Sequence, residues 1–162
     1  MKARRRDPQM ALRLDAAESG RAWREGTELS CLGDRLYIAL GSADAEARRE
    51  GSALILPLPP EATPRQVQDR AEAWLREEAV RVFQRLIEQK SAAAGRQPPR
   101  LALSFAARAH WVEAQGTDTL RCNWRLVEQP LPAIEQAIAR GIAALPPAQG
   151  GFDLFGTPLA TG

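Results

Sequence analysis

Side chains able to do proton or metal chemistry are few in this sequence. His110 is its one histidine, and Cys31 and Cys122 are its two cysteines. A single imidazole cannot build a zinc centre unless carboxylates or thiolates complete the set. The groups His110 could approach are Glu113 and Cys122, and a surface or hydrogen-bonded histidine is the plainer reading. No Gly-rich phosphate loop and no G-x-S-x-G elbow occurs. The acid pairs Glu77-Glu78 and Asp44 with Glu46 fall on polar stretches and read as solvated charge, not as general acid and base. Basic side chains crowd only near the start, in Lys2, Arg4, Arg5 and Arg6, which read as a solvated tail or as an arm for phosphates.

The rest of the composition narrows the class. With 162 residues the chain can bury one core. Its 22 basic and 20 acidic side chains leave a net charge of +2, so no single field dominates the surface. Two cysteines make no disulfide framework and read as buried thiols of a reducing compartment. No apolar run approaches the roughly 20 residues of a membrane span. Asp7, Arg13 and Asp15 interrupt the stretch where a signal peptide would need apolar residues. A cytoplasmic protein without a membrane partner is expected.

The elements follow from period and punctuation. Glu28 to Leu32 and Leu36 to Leu40 read as strands flanking a Gly33-Asp34-Arg35 hairpin turn. A charged, solvated stretch from Asp44 to Gly51 precedes a third strand, Ala53 to Leu58, which Pro57 ends or confines to an edge. Thr63, Pro64 and Gln66 spell a capping box with proline at the first helical position. Val67, Ala71, Trp74, Leu75, Val82, Phe83, Leu86 and Ile87 then trace the buried face of a long helix that stops at Gly95 and Pro98-Pro99. Leu101 to Phe105 and Leu120 to Val127 read as strands around a polar loop at Gly116-Thr117-Asp118. Pro130 and Pro132 open a second helix with Ile134, Ala137, Ile138, Ile142 and Leu145 on one face. Gly141 lies inside it at a cost of roughly 1 kcal/mol relative to alanine. This order is α+β.

Leu120-Arg121-Cys122-Asn123-Trp124-Arg125-Leu126-Val127, followed by Pro130 and a helix, resembles the YgjP-like (SprT-related) metallopeptidases. That family shows a W-G-S-C motif, a strand ending L-N-W-R-L-I, a proline, and a helix bearing H-E-L-x-H. Cys31-Leu32-Gly33-Asp34-Arg35-Leu36-Tyr37-Ile38 resembles its L-G-x-x-Y-x-L hairpin. The helix through Trp74, Leu75, Arg76, Ala79 and Leu86 resembles its W-x-R-x-x-A helix, and Trp111 stands for the tryptophan of W-G-S-C. The resemblance implies a zincin-like fold: a small mixed or antiparallel sheet on a long amphipathic helix, with the second helix equivalent to the zinc-binding one. It divides the chain into an N-terminal arm at 1–24, a metallopeptidase-like domain at 25–155 and a tail at 156–162.

The resemblance also implies what is missing. Counted from Pro130 without gaps, the family's first zinc histidine falls on Arg140 and its catalytic glutamate on Gly141. The second histidine falls on Ala144 and a third on Gly150, while Val112-Glu113-Ala114 replaces G-S-C. In H-E-x-x-H two imidazoles on one helical face grip the metal and the glutamate takes a proton from its water. A guanidinium repels a divalent ion, and glycine and alanine bring no donor. The expectation is a pseudoenzyme without cofactor that binds a protein or peptide. Trp111, Asn123, Trp124, Arg125 and Arg140 would line its groove, with Arg140 paired to Glu135 or to a ligand's carboxylate. The alternatives are a residual metal-dependent hydrolase, nucleic-acid association through the Lys2–Arg6 arm, and decay without a selected function.

Overall fold

The computed structural model describes residues 22–41, 46–107 and 110–147. Residues 1–21 of the N-terminal arm and the whole C-terminal tail expected from sequence therefore lie outside the described residues. Among the described residues seven short strands form two mixed sheets. The first holds β1 (Glu28–Cys31), β2 (Asp34–Leu40), β3 (Arg48–Glu50) and β4 (Ala53–Leu56) in the order β1-β2-β4-β3. The second holds β5 (Arg100–Ser104), β6 (Val112–Gln115) and β7 (Thr119–Asn123) in the order β5-β7-β6. Each sheet contains one parallel pair, β2 with β4 and β5 with β7. The architecture is α+β, with two small sheets where the sequence suggested one.

Helix α1 (Pro64–Ala93) forms where the sequence places it, because its start is chemically specified. Thr63 Oγ1 accepts from Gln66 N at 3.1 Å, and Gln66 Oε1 accepts from Thr63 N at 2.9 Å, so two otherwise unpaired donors are satisfied. All eight apolar positions read from its period are buried, and so is Ala79. At 30 residues it runs roughly 45 Å. Helix α2 (Leu131–Ala144) starts behind Pro130 and buries Ile134, Ala137, Ile138, Gly141 and Ile142.

Three strand assignments differ from the sequence reading. Arg48 to Glu50, read as solvated charge, is β3: all three residues are exposed on an edge, so no apolar alternation marks it. The strand read as Leu120 to Val127 breaks at Asn123 and becomes a 3-10 turn, Trp124–Glu128. Asn123 causes the break, since its Oδ1 accepts from Arg125 N at 3.0 Å and caps the turn. Strand β6 occupies part of the interval read as polar loop, and only its turn matches that reading.

The turn Trp124–Glu128 joins the layers. Leu32 N donates to Val127 O at 2.7 Å and Gly33 N to Glu128 O at 3.3 Å, which docks the β1–β2 hairpin onto it. Leu32 and Gly33 have φ of 55° and 84°, the two positive values of a type I′ turn. A Cβ on Gly33 would lie 3.0 Å from Pro130 Cα, a backbone atom that cannot swing aside. Gly33→Ala is therefore expected to destabilise the fold by about 1–3 kcal/mol. Urea unfolding checks this, and an unchanged midpoint would show that the hairpin does not need its close seat.

Candidate functional site

The region where the sequence places its site is the corner between α2, β6 and the turn after β7. Asn123 organises that corner from inside. It is 4% exposed. Its Nδ2 donates to Ala106 O at 2.9 Å and its backbone N to Trp111 O at 2.8 Å, so it holds both ends of the segment between β5 and β6. Trp124 is also buried, at 4%. Arg125 lies 4.5 Å and Arg76 5.4 Å from the centroid of its ring, distances at which a guanidinium is attracted to the aromatic face. Arg125 reaches Glu72 at 3.4 Å and Glu128 at 3.3 Å, and Arg76 reaches Glu72 at 3.9 Å. The structure thus gathers Asn123, Trp124 and Arg125 around one turn. Arg125 is only partly buried, and the other two face the interior.

Trp111 and Arg140 lie on the surface. Trp111 is 45% exposed. Arg140 and Ala144 share the exposed face of α2, one helical turn apart. Among the described residues Arg140 forms no ion pair, with Glu135 or with any other carboxylate. His110 and Glu113 are exposed. Gly150 and the basic arm, Lys2, Arg4, Arg5 and Arg6, lie outside the described residues.

Gly141 is the position the sequence did not explain. It faces the second sheet, and a Cβ built there would lie 2.5 Å from Val112 Cγ1 and 3.0 Å from Leu120 Cδ1. The valine of β6 occupies the space that any side chain at 141 would need. Helix α2 can lie this close to β6 because residue 141 is glycine, which offsets the helix-propensity cost. The signal was available in two separate departures, a glycine inside a helix and a valine after Trp111. It required pairing them across the fold.

A family model described as YgjP-like, metallopeptidase domain, matches residues 6–139. The chain belongs to the YgjP-like family. Nothing among the curated proteins or the solved structures matches it. A metallopeptidase domain implies a bound metal, and the donors described in this YgjP-like chain do not fit one. No group of three or more His, Cys, Asp or Glu side chains able to hold a metal occurs among the described residues. Both thiols are buried and free. Burial, with Glu78 second, pushes Cys31 up to about 11, and burial pushes Cys122 up to about 12. A thiolate, the form that ligates metal, is thus disfavoured at each.

Two expectations follow for this YgjP-like chain. Gly141→Ala should lower stability by about 1–2 kcal/mol, an overpacking cost partly offset by better helix propensity. Combined with Val112→Ala its cost should shrink, giving a favourable coupling of about 1 kcal/mol in a double-mutant cycle; strictly additive effects would show that the two residues do not collide. The thiols set a pH dependence. Their folded values lie above the ordinary 9.0, so the unfolded chain releases these protons first as pH rises. Their stabilising contribution is intact below pH 9 and is lost between pH 9 and 12. Urea midpoints measured from pH 7 to 10.5 should fall only above 9, and Cys122→Ala should flatten that fall.

Proposed function

We propose that this chain is a non-catalytic, zincin-like member of the YgjP-like family that binds a protein or peptide beside α2. One observation carries the reading: Val112 fills the space next to Gly141. In the family pattern glycine follows the tryptophan and glutamate stands on the helix. Here the large and small residues are exchanged, with valine after Trp111 and glycine at 141. A carboxylate cannot be seated there without first removing the valine. The positions counted for the zinc histidines support the same reading, because Arg140 and Ala144 present a cation and a methyl on the exposed helix face. The family match also stops at residue 139, one residue before Arg140.

What remains at the corner suits recognition. Among the described residues β6 is the last strand of its sheet and leaves one edge unpaired, a place where an extended peptide can add main-chain hydrogen bonds. Trp111 offers an exposed ring beside that strand, and Arg140 offers a guanidinium for a carboxylate. The peptide expected is extended and carries at least one acidic residue.

Elemental analysis of the purified protein, with a peptidase assay before and after chelation, tests the catalytic half of the proposal. Zinc well below stoichiometric and no chelator-sensitive hydrolysis are expected; stoichiometric zinc with chelator-sensitive hydrolysis would overturn it. Titration with extended acidic peptides tests the binding half. Arg140→Ala should weaken binding roughly fivefold, the ~1 kcal/mol of one solvent-exposed charge pair. No binding of any such peptide, or binding indifferent to Arg140, would remove this role.

A further inference from the structure

The opposite flank of α2 carries a second feature. Where the C-terminal ends of α1 and α2 run side by side they enclose a groove of about 390 Å³, lined by Lys90, Ala93, Ala94, Ala139, Ile142 and Pro147 among others. It is separate from the corner with β6, since Ala139 and Ala143 line it while Arg140 projects about 100° further round the helix. Its floor is aliphatic. The two charged residues in its wall, Lys90 and Arg96, are both basic.

The end of α1 explains how those cations reach the groove. Arg96 N donates to Ser91 O at 3.0 Å and Gly95 N to Ala92 O at 3.1 Å, with Gly95 at φ 68°, the bond pair of a Schellman reversal. The reversal turns Arg96 back towards α2, where its Nη1 donates to Pro146 O at 3.1 Å. Lys90 has no carboxylate partner among the described residues. An aliphatic trough with an unmatched ammonium at its rim is complementary to apolar side chains that carry an acid.

The chain itself supplies that pattern next to the groove. It leaves α2 through Leu145 and Pro147, both of which line the groove. Beyond them the sequence reads Gly150-Gly151-Phe152-Asp153-Leu154-Phe155, a stretch that lies outside the described residues. Phe152 is close enough in sequence to Pro147 to return to the groove, with a maximum reach of ~17 Å, and the glycine pair permits the reversal. Phe152 and Leu154, two apart, fall on one side of an extended chain. A tethered segment also meets its site at a millimolar-range effective concentration, so modest contacts suffice to hold it.

We propose that the groove between the ends of α1 and α2 is the docking site of the chain's own Phe152–Phe155 segment. Phe152 and Leu154 cover the aliphatic floor and Asp153 meets Lys90 at the rim. Docking there leaves the α2–β6 corner open, so its test is independent of the peptide-binding proposal.

Cross-linking of the full chain decides it. Ala143→Cys with Leu154→Cys joins the groove wall to the segment, while native Cys31 and Cys122 are buried and take no part. Glu77→Cys with Leu154→Cys is the control, placed along α1 at roughly 20 Å from Lys90. Mild oxidation should give an intrachain 143–154 bond, mapped by peptide mass, at least ~10-fold faster than the control bond, as expected of a docked segment against a freely diffusing one. Lys90→Glu should slow it, and adding Asp153→Lys should restore it. Equal rates for the two pairs would overturn the proposal. So would disulfide-linked dimers, which would assign the groove to a second copy, or indifference to the charge exchange, which would remove Asp153 from the contact.

Discussion

The rest of the structure depends on how the 3-10 turn Trp124–Glu128 is held against α1. Trp124 is buried under the guanidinium groups of Arg76 and Arg125, and Glu72 bridges both arginines. Each contact is modest in isolation, about 0.5–2 kcal/mol for a cation on an aromatic face. They converge on five residues that touch every layer. Asn123, one residue earlier, ends β7 and secures the segment between β5 and β6. The carbonyls of Val127 and Glu128 receive the β1–β2 hairpin, and Pro130 launches α2. A turn tied to the long helix thereby sets where both sheets and the second helix stand.

This explains why the segment most diagnostic of the family is mostly interior. Asn-Trp-Arg-Leu reads from sequence as a family marker, with Asn123, Trp124 and Arg125 expected to line a groove. Asn123 and Trp124 instead satisfy capping, hydrogen-bonding and packing demands, and Leu126 is buried with them. The surface elements of the same corner are Trp111 and Arg140, whose sequence context is far less distinctive.

Legibility followed how local the deciding interactions are. α1 could be read closely because its cap, its apolar period and its terminating glycine all lie within the segment itself. α2 could be read from its opening prolines and apolar period, including the energetic oddity of Gly141. β3 could not, since three exposed charged residues on an edge are strand only through their bonds to β4. The break at Asn123 was hidden because an asparagine in an apolar run signals a cap only once the chain after it turns. At the candidate site the reason for Gly141 lies 29 positions upstream, in a valine that only the fold brings alongside it. Both flanks of α2 depend on small residues, but in different ways. Towards β6 a glycine lets the helix approach the sheet, and towards α1 alanines leave a trough.

The contact between Val112 and Gly141 also orders the changes open to this sequence. Any side chain added at 141 while valine remains collides with it, so that substitution is penalised when it comes first. Shortening residue 112 first opens a void beside the helix, a cost of ~1 kcal/mol or more, before anything can be gained at 141. Both single steps lead downhill in stability, and only the pair returns to a packed interface. The corner therefore behaves as a ratchet: once valine and glycine have met, drift one residue at a time tends to keep them.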